Sequence, residues 1–146
     1  MGRVIHTESA GKDRLRLTKG IALAVRQLAQ QTAPGAEARD LAAFLVLALE
    51  AIAATIDESV TAWEKRGYWV KAERFRMDWD WAGQCARQMR AALLEDDWQA
   101  AAQTAAVIAQ KVSRVNVPPG HRLGRPWEGA WNRFCKKYQV SKPRSP

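Results

Sequence analysis

The stretch LAAFLVLALEAIAATI, from Leu41 to Ile56, decides the fold of this chain. It is the longest apolar segment, yet it contains Glu50 and has charged pairs directly before and after it. A membrane span needs about twenty apolar residues with few charges. The segment is shorter than that and is interrupted by a charge, so it predicts a helix buried in a protein core, and we expect no membrane span.

Three further amphipathic helices are predicted around this segment. Ala, Leu, Gln, Arg and Glu dominate the first 115 positions, which favours helix. No stretch shows the sustained apolar and polar alternation of a strand. Gly, Pro and Asp residues indicate where one helix ends and the next begins. The predicted helices cover about 9–31, 36–67, 68–94 and 98–112. A single kinked helix over the second and third segments remains an alternative.

The apolar positions recur at helical spacing and define the predicted core. In the first three helices the core positions are Leu17, Ile21, Leu28, Leu41, Leu45, Tyr68, Ile52, Phe75 and Trp79. In the fourth they are Trp98, Ala102, Ala105, Ile108 or Ala109, and Val112. Four amphipathic helices with short connections predict an all-α fold, an antiparallel four-helix bundle.

The composition changes after Val115. The segment VPPGHRLGRP, residues 117–126, contains three prolines and two glycines and is predicted to be a loop. Pro126 suits the first position of a short fifth helix, on which Trp127, Trp131, Phe134 or Cys135, and Tyr138 share a face. We expect one helical domain over 1–140, with the bundle in 9–115, the basic loop and short helix in 116–140, and a disordered tail over 141–146.

The net charge of +8 is located in the last quarter of the chain. Residues 111–146 hold nine basic residues and one acidic residue, whereas residues 1–110 hold 14 of each. Within the balanced part, residues 1–26 sum to +4 and residues 27–110 to −4. Clustered cations favour an anionic partner. Either the two basic ends form one patch, or they lie against the acidic middle of the same molecule.

The basic C-terminal segment is the strongest functional candidate. Its predicted anion-binding residues are Arg122, Arg125, Arg133, Lys136 and Lys137. The first helix adds a row of cations opposite its core face, consisting of Lys12, Arg16, Lys19 and Arg26. Phosphates of nucleic acid are the expected partner. An acidic protein surface is a second possible partner, and a solvated helix face without a binding role is the alternative for the first helix.

Tryptophans provide a second hypothesis. Aromatic and basic residues alternate between Trp63 and Trp81, a combination that can stack bases and hold phosphates but that also fills helix interfaces. Trp69 and Trp81 lie outside the core stripe. These two, together with Trp127 and Trp131, are candidates for docking onto a protein partner. The chain would then be an interaction or accessory subunit.

Catalytic signatures are absent from the sequence. Neither His6 nor His121 has a Glu three positions before it, as a di-iron helix requires. Glu37 and Asp40 form one carboxylate turn that could bind magnesium, but no second pair matches it, and acids at a helix start complement the helix dipole. We therefore predict a non-enzymatic binding module without a cofactor, with a carboxylate-dependent enzyme as the remaining alternative.

The cysteines and the N-terminus indicate a location. Cys85 and Cys135 lie fifty positions apart and lack metal-ligand spacing, so we expect two separate buried thiols. The first residues contain no apolar stretch of the length of a secretory signal. We therefore expect a cytoplasmic protein. The oligomeric state cannot be predicted from these features.

Overall fold

A computed structural model describes residues 7–141, with side chains from Ser9 onward. The first six residues, and with them Lys142, Arg144 and almost all of the predicted tail, lie outside the described residues. The described chain forms five helices and no strand, which confirms the all-α fold. The helices are α1 (Thr7–Leu28), α2 (Ala36–Lys65), α3 (Trp69–Leu94), α4 (Trp98–Lys111) and α5 (Ala130–Tyr138).

Helix α2 is the centre of the fold. It packs against α1, α3 and α5, while α4 packs against α3 and α1. Leu41, Leu45, Leu49 and Ile52 of α2 are fully buried. Burying one such side chain contributes about 1.5–3 kcal/mol, so the apolar stretch that begins at Leu41 is the main source of core stability. Across residues 7–141, no helix is long and apolar enough to cross a membrane.

Helices α1 and α2 run in opposite directions. Arg14 Nη1 donates to Thr55 Oγ1 at 3.2 Å, and Gly20 lies against the ring of Phe44, where an added Cβ would be 3.2 Å from Cζ. Residues later in α1 therefore contact residues earlier in α2, as two antiparallel helices require. Glycine at position 20 permits this close approach, because a larger residue would displace the Phe44 ring.

The chain breaks between α2 and α3, which excludes the single kinked helix. Gly67 has φ +82°, a left-handed conformation that glycine adopts without strain. The backbone N–H of Tyr68 donates to the carbonyl of Trp63 at 2.9 Å, and that of Gly67 to Glu64 at 3.0 Å. This bonding pattern is the Schellman motif, a common helix C-terminus. It confirms the break predicted near Gly67.

Helix α4 begins as predicted but presents a different face to the core. Asp97 caps it by accepting a hydrogen bond from a backbone N–H of the first turn. The buried residues are Ala101, Thr104 and Ile108, whereas Ala102, predicted to face inward, is exposed. Alanines occur on all sides of this helix, so its hydropathy pattern has too little contrast to fix its rotation. Contact with both α3 and α1 fixes it instead.

Helix α5 begins later than predicted. Its first residue is Ala130, after a left-handed Gly129 with φ +77°, and not Pro126. Pro126 packs on Gly20 of α1 instead. Phe134 and Cys135 are buried on α5, whereas Trp127, which was predicted to share their face, lies in the turn before the helix and is buried there.

Candidate anion-binding face

Residues 112–140 form a C-terminal strap that runs along α1 and α2. The strap starts at the end of α4, where Arg26 Nη2 of α1 donates to the carbonyls of Val112 at 3.2 Å and Val115 at 2.7 Å. The carbonyl of Val112, at the C-cap of α4, also accepts from the backbone N–H of Val115, so Arg26 and the backbone together hold this turn. Arg26, predicted for the anion-binding row of α1, therefore anchors the strap.

The middle of the strap lies on α1 beside predicted anion-binding residues. A Cβ at Gly20 would be 3.9 Å from Cγ of Pro126. Lys19 precedes Gly20 directly, and Arg16 lies one helical turn earlier, about 6 Å along the axis. Arg122 is four residues from Pro126, at most about 14 Å of extended chain. The basic N-terminal helix and the basic C-terminal segment therefore contact each other at Gly20 and Pro126, and the sequence interpretation that their cations form one patch stays a prediction.

Two predicted anion-binding residues of the strap are paired with acids of α2. Arg125 Nη2 lies 2.6 Å from Glu37 Oε1, and Lys137 Nζ lies 2.8 Å from Glu50 Oε1. Both cations are about half exposed, so each pair contributes only about 0–1 kcal/mol. The other sequence interpretation, cations resting on the acidic middle of the chain, holds for these two residues. They hold the strap rather than facing solvent unpaired.

Glu50 is the centre of a clamp between three helices. Its carboxylate accepts hydrogen bonds from Arg90 of α3 at 3.1 Å, from Lys137 at 2.8 Å and from the hydroxyl of Tyr138 on α5. Burial raises the pKa of Glu50, but the hydrogen bonds from Lys137, Tyr138 and Arg90 outweigh burial and leave the pKa below its usual range. The hydrogen bond with Glu50 also raises the pKa of Lys137. Glu50 and Lys137 are therefore both charged near neutral pH.

The carboxylate turn considered for an enzyme also holds the strap. Asp40 Oδ1 accepts from the backbone N–H of Trp131 at 2.9 Å, and Asp40 Oδ2 from that of Gly129 at 3.4 Å. Asp40 thus caps the start of α5, while Glu37 pairs with Arg125. Within the described chain no three His, Cys, Asp or Glu side chains group as a metal site. The structural role of Asp40 has no local sequence signal, because its partners lie about ninety positions away.

Other cations of the strap point outward. Arg122 and Lys136 are exposed, and neither has an ion pair or hydrogen bond in the described chain. Arg133 is exposed and donates to the carbonyl of Glu128 at 3.2 Å. Glu128, the one acid of the segment, also lies 3.5 Å from Arg125. Glu128 therefore joins the cations of the loop to those of α5.

The predicted cations of α1 differ in exposure. Arg16 is exposed and lies 3.4 Å from Asp13. Lys12 is exposed, and Lys19 is half-buried. Arg114, exposed at the start of the strap, lies beside the carbonyls that Arg26 binds and was not among the predicted residues. We define the basic face as the outward cations along the strap and the adjoining part of α1: Arg16, Lys19, Arg114, Arg122, Arg133 and Lys136.

The four candidate docking tryptophans differ in exposure. Trp127 is only 5% exposed, and Trp131 is half-buried with its ring stacked on Phe134 at 5.5 Å. These two rings anchor the strap on the bundle, so they do not present a docking surface. Trp81 is half-buried and stacks on Trp79 at 5.8 Å. Only Trp69, at 63% exposed, presents most of its ring to solvent.

Trp69 belongs to a larger exposed apolar surface at the start of α3. Its neighbours Tyr68, Val70 and Met77 are 54%, 73% and 69% exposed. Tyr68 was predicted to be a core residue, but it precedes the first turn of α3 and lies outside the bundle. We call Tyr68, Trp69, Val70 and Met77 the α3 patch. Val70 and Met77 could have been found from their position off the core stripe of the helix.

Compared with protein-family models, with curated proteins and with solved structures, the chain matches none of them.

Proposed function

We propose that this protein binds nucleic acid through the basic face. The observation that carries the proposal is the course of the strap, which lies on α1 so that cations from two ends of the chain are adjacent. Pro126 packs on Gly20, next to Lys19, and Arg26 holds the strap where Arg114 emerges. Cations within about 8 Å, the screening length at physiological salt, reinforce one another, and Arg16 and Lys19, about one turn apart on α1, meet this condition.

The face extends along the surface as a band. Its members follow the course of the strap, which packs on Gly20 beside Lys19 at Pro126 and reaches Arg133 through the contacts of Glu128 with Arg125 and Arg133. A band of cations suits the regularly spaced phosphates of a nucleic acid strand. An acidic protein surface is the other anionic partner, and the extended course of the cations favours nucleic acid over it.

The chemistry of these residues predicts the kind of binding. An arginine guanidinium can donate two parallel hydrogen bonds to one phosphate, and the face contains four arginines. Phosphate contacts fix position but carry no sequence information. We therefore propose sequence-independent binding that weakens steeply as salt rises. A cytoplasmic location accords with this function and with the two buried cysteines, Cys85 and Cys135, which form no disulfide.

The test is a triple substitution with a charge-matched control. Arg122→Gln, Arg133→Gln and Lys136→Gln remove three outward charges of the strap and leave its ion pairs to α2 in place. The control, Arg66→Gln, Arg87→Gln and Lys65→Gln, removes the same charges from exposed positions around α3. Fluorescence anisotropy measures the affinity of each protein for a labelled single strand and a labelled duplex across a salt series.

We expect the strap variant to lower the magnitude of the slope of log affinity against log salt by about 2 to 3, since each phosphate contact contributes about 0.7–0.9. The control should keep the wild-type slope. Equal slopes for the two variants would show that net charge, and not this face, governs binding. Wild-type protein that fails to bind either probe at about 50 mM salt would contradict the proposal outright.

A further inference from the structure

The α3 patch is an exposed, contiguous apolar surface, a feature that marks interaction sites on proteins. Its four side chains expose apolar area on the order of a few hundred Å², the size of the largest patches on typical monomers. Beside it lies a surface depression of about 480 Å³, lined by Trp69, Val70, Glu73, Arg74, Met77 and Asp78. The patch and the depression belong to the same outer side of α3.

The charges around the patch are balanced, unlike those of the basic C-terminal segment. The whole chain carries +8, whereas residues 69–81 carry three cations and three acids and sum to zero. Two copies of a protein with this net charge repel one another. A surface through which copies associate must therefore be locally neutral, and the α3 patch has that property.

The order of the charges is also self-complementary. Arg74 and Asp78 lie one turn apart beside Val70 and Met77, both are exposed, and neither has an ion pair or hydrogen bond within the described chain. In a twofold dimer, a contact between residue i of one copy and residue j of the other is accompanied by the same contact between residue j of the first copy and residue i of the second. An antiparallel pairing of two α3 helices therefore brings each Arg74 to Asp78 of the partner subunit.

We propose that a second copy of this chain covers the α3 patch in a twofold dimer. With the axis crossing α3 near residue 75, Trp69 faces the partner's Trp81. Val70 comes within about one turn of the partner's Met77. The pairing joins the two tryptophans that lie off the core stripe and covers Val70 and Met77, the most exposed large apolar side chains among the described residues. The dimer is independent of nucleic-acid binding, because the basic face involves other elements.

The expected affinity is modest. A specific interface buries about 1,000 Å² or more in total, and two α3 patches with their flanking charges reach only the low end of this range. Sedimentation equilibrium over a concentration series should therefore show exchange between monomer and dimer, with dimer dominant at the highest concentrations. A protein that stays monomeric throughout the series contradicts the proposal.

Apolar substitutions locate the interface. Val70→Glu and Met77→Glu place a charge inside the proposed contact, at positions exposed enough to leave the fold intact. Val107→Glu and Leu94→Glu are matched controls at other exposed apolar positions. We expect the first two to weaken the dimer at least about tenfold at an unchanged melting temperature, and the controls to leave it as in wild type. A dimer that withstands both patch substitutions overturns the assignment.

Charge exchange tests the antiparallel pairing itself. Arg74→Asp alone places acids against acids in the homodimer, and Asp78→Arg alone places cations against cations, so each variant should be monomeric. A mixture of the two chains restores both attractive pairs, and we expect a heterodimer of about wild-type affinity. Single variants that dimerise normally, or a mixture that stays monomeric while wild type dimerises, contradict the pairing of Arg74 with Asp78 of the partner subunit.

Discussion

Replacing Asp40 with Ala removes the carboxylate that holds the start of α5 on α2. In the structure Asp40 accepts two backbone hydrogen bonds, from Trp131 at 2.9 Å and from Gly129 at 3.4 Å. The shorter bond satisfies an N–H that α5 itself cannot satisfy. The substitution leaves this donor without its acceptor while the apolar face of α5 stays buried.

The size of the effect follows from these contacts. Loss of a side-chain cap costs about 0.5–2 kcal/mol, and a charged acceptor with a second, longer bond belongs in the upper half of that range. For a domain of this length one kcal/mol corresponds to about 4 °C in melting temperature. We therefore expect Asp40→Ala to lower the melting temperature by about 5–8 °C, with a smaller loss for Asp40→Asn, which keeps one acceptor oxygen.

Thermal unfolding followed by circular dichroism measures the global loss, and hydrogen exchange of residues 128–140 measures the local one. Asp57→Ala is the control, because Asp57 is an exposed acid of the same helix without an ion pair or hydrogen bond in the described chain. It should melt as wild type does. If Asp40→Ala melts together with this control and α5 exchanges no faster than in wild type, Asp40 does not hold the strap.

Two further predictions concern the core and the clamp. Ile52→Asp places an unpaired charge in the fully buried face of α2 and should unfold the domain. Ala54→Asp, at an exposed position of the same helix, should leave it folded. Circular dichroism distinguishes the two, and a folded Ile52→Asp protein would refute the central place of α2. The pKa of Glu50 is lowered in the folded protein, so its contribution to stability is present above the ordinary value of 4.5 and is lost as the pH falls through the folded value. The difference in melting temperature between wild type and Glu50→Gln should therefore shrink below about pH 4.5, and a constant difference from pH 7 to pH 3 would show that Glu50 is not the titrating group.

The parts of the fold that depend on local chemistry could be predicted from the sequence. The apolar periodicity from Leu41 to Ile52 locates the buried helix, Gly67 marks a left-handed helix end, and Asp97 caps α4 through its own first turn. In each case the signal and the structure that it forms lie within a few residues. Such features do not depend on which other elements pack nearby.

The features that could not be predicted depend on contacts between distant residues. Arg125 and Lys137 look like free cations in the sequence, and only the docking of the strap on α2 brings them to Glu37 and Glu50, nearly ninety positions away. The same docking buries Trp127, although its sequence spacing matches that of Trp131 and Tyr138, which stay partly exposed. Charge and spacing identify the basic segment, but the long-range packing decides which of its cations face solvent.

If α1 and the strap form one basic face, a substitution on α1 alone must weaken nucleic-acid binding. Arg16→Gln with Lys19→Gln changes the helix that the strap lies on and leaves every strap cation in place. We expect the magnitude of the slope of log affinity against log salt to fall by about 1.4–1.8, which corresponds to two phosphate contacts, with the melting temperature nearly unchanged. A slope equal to that of wild type would contradict a single face shared by the two ends of the chain.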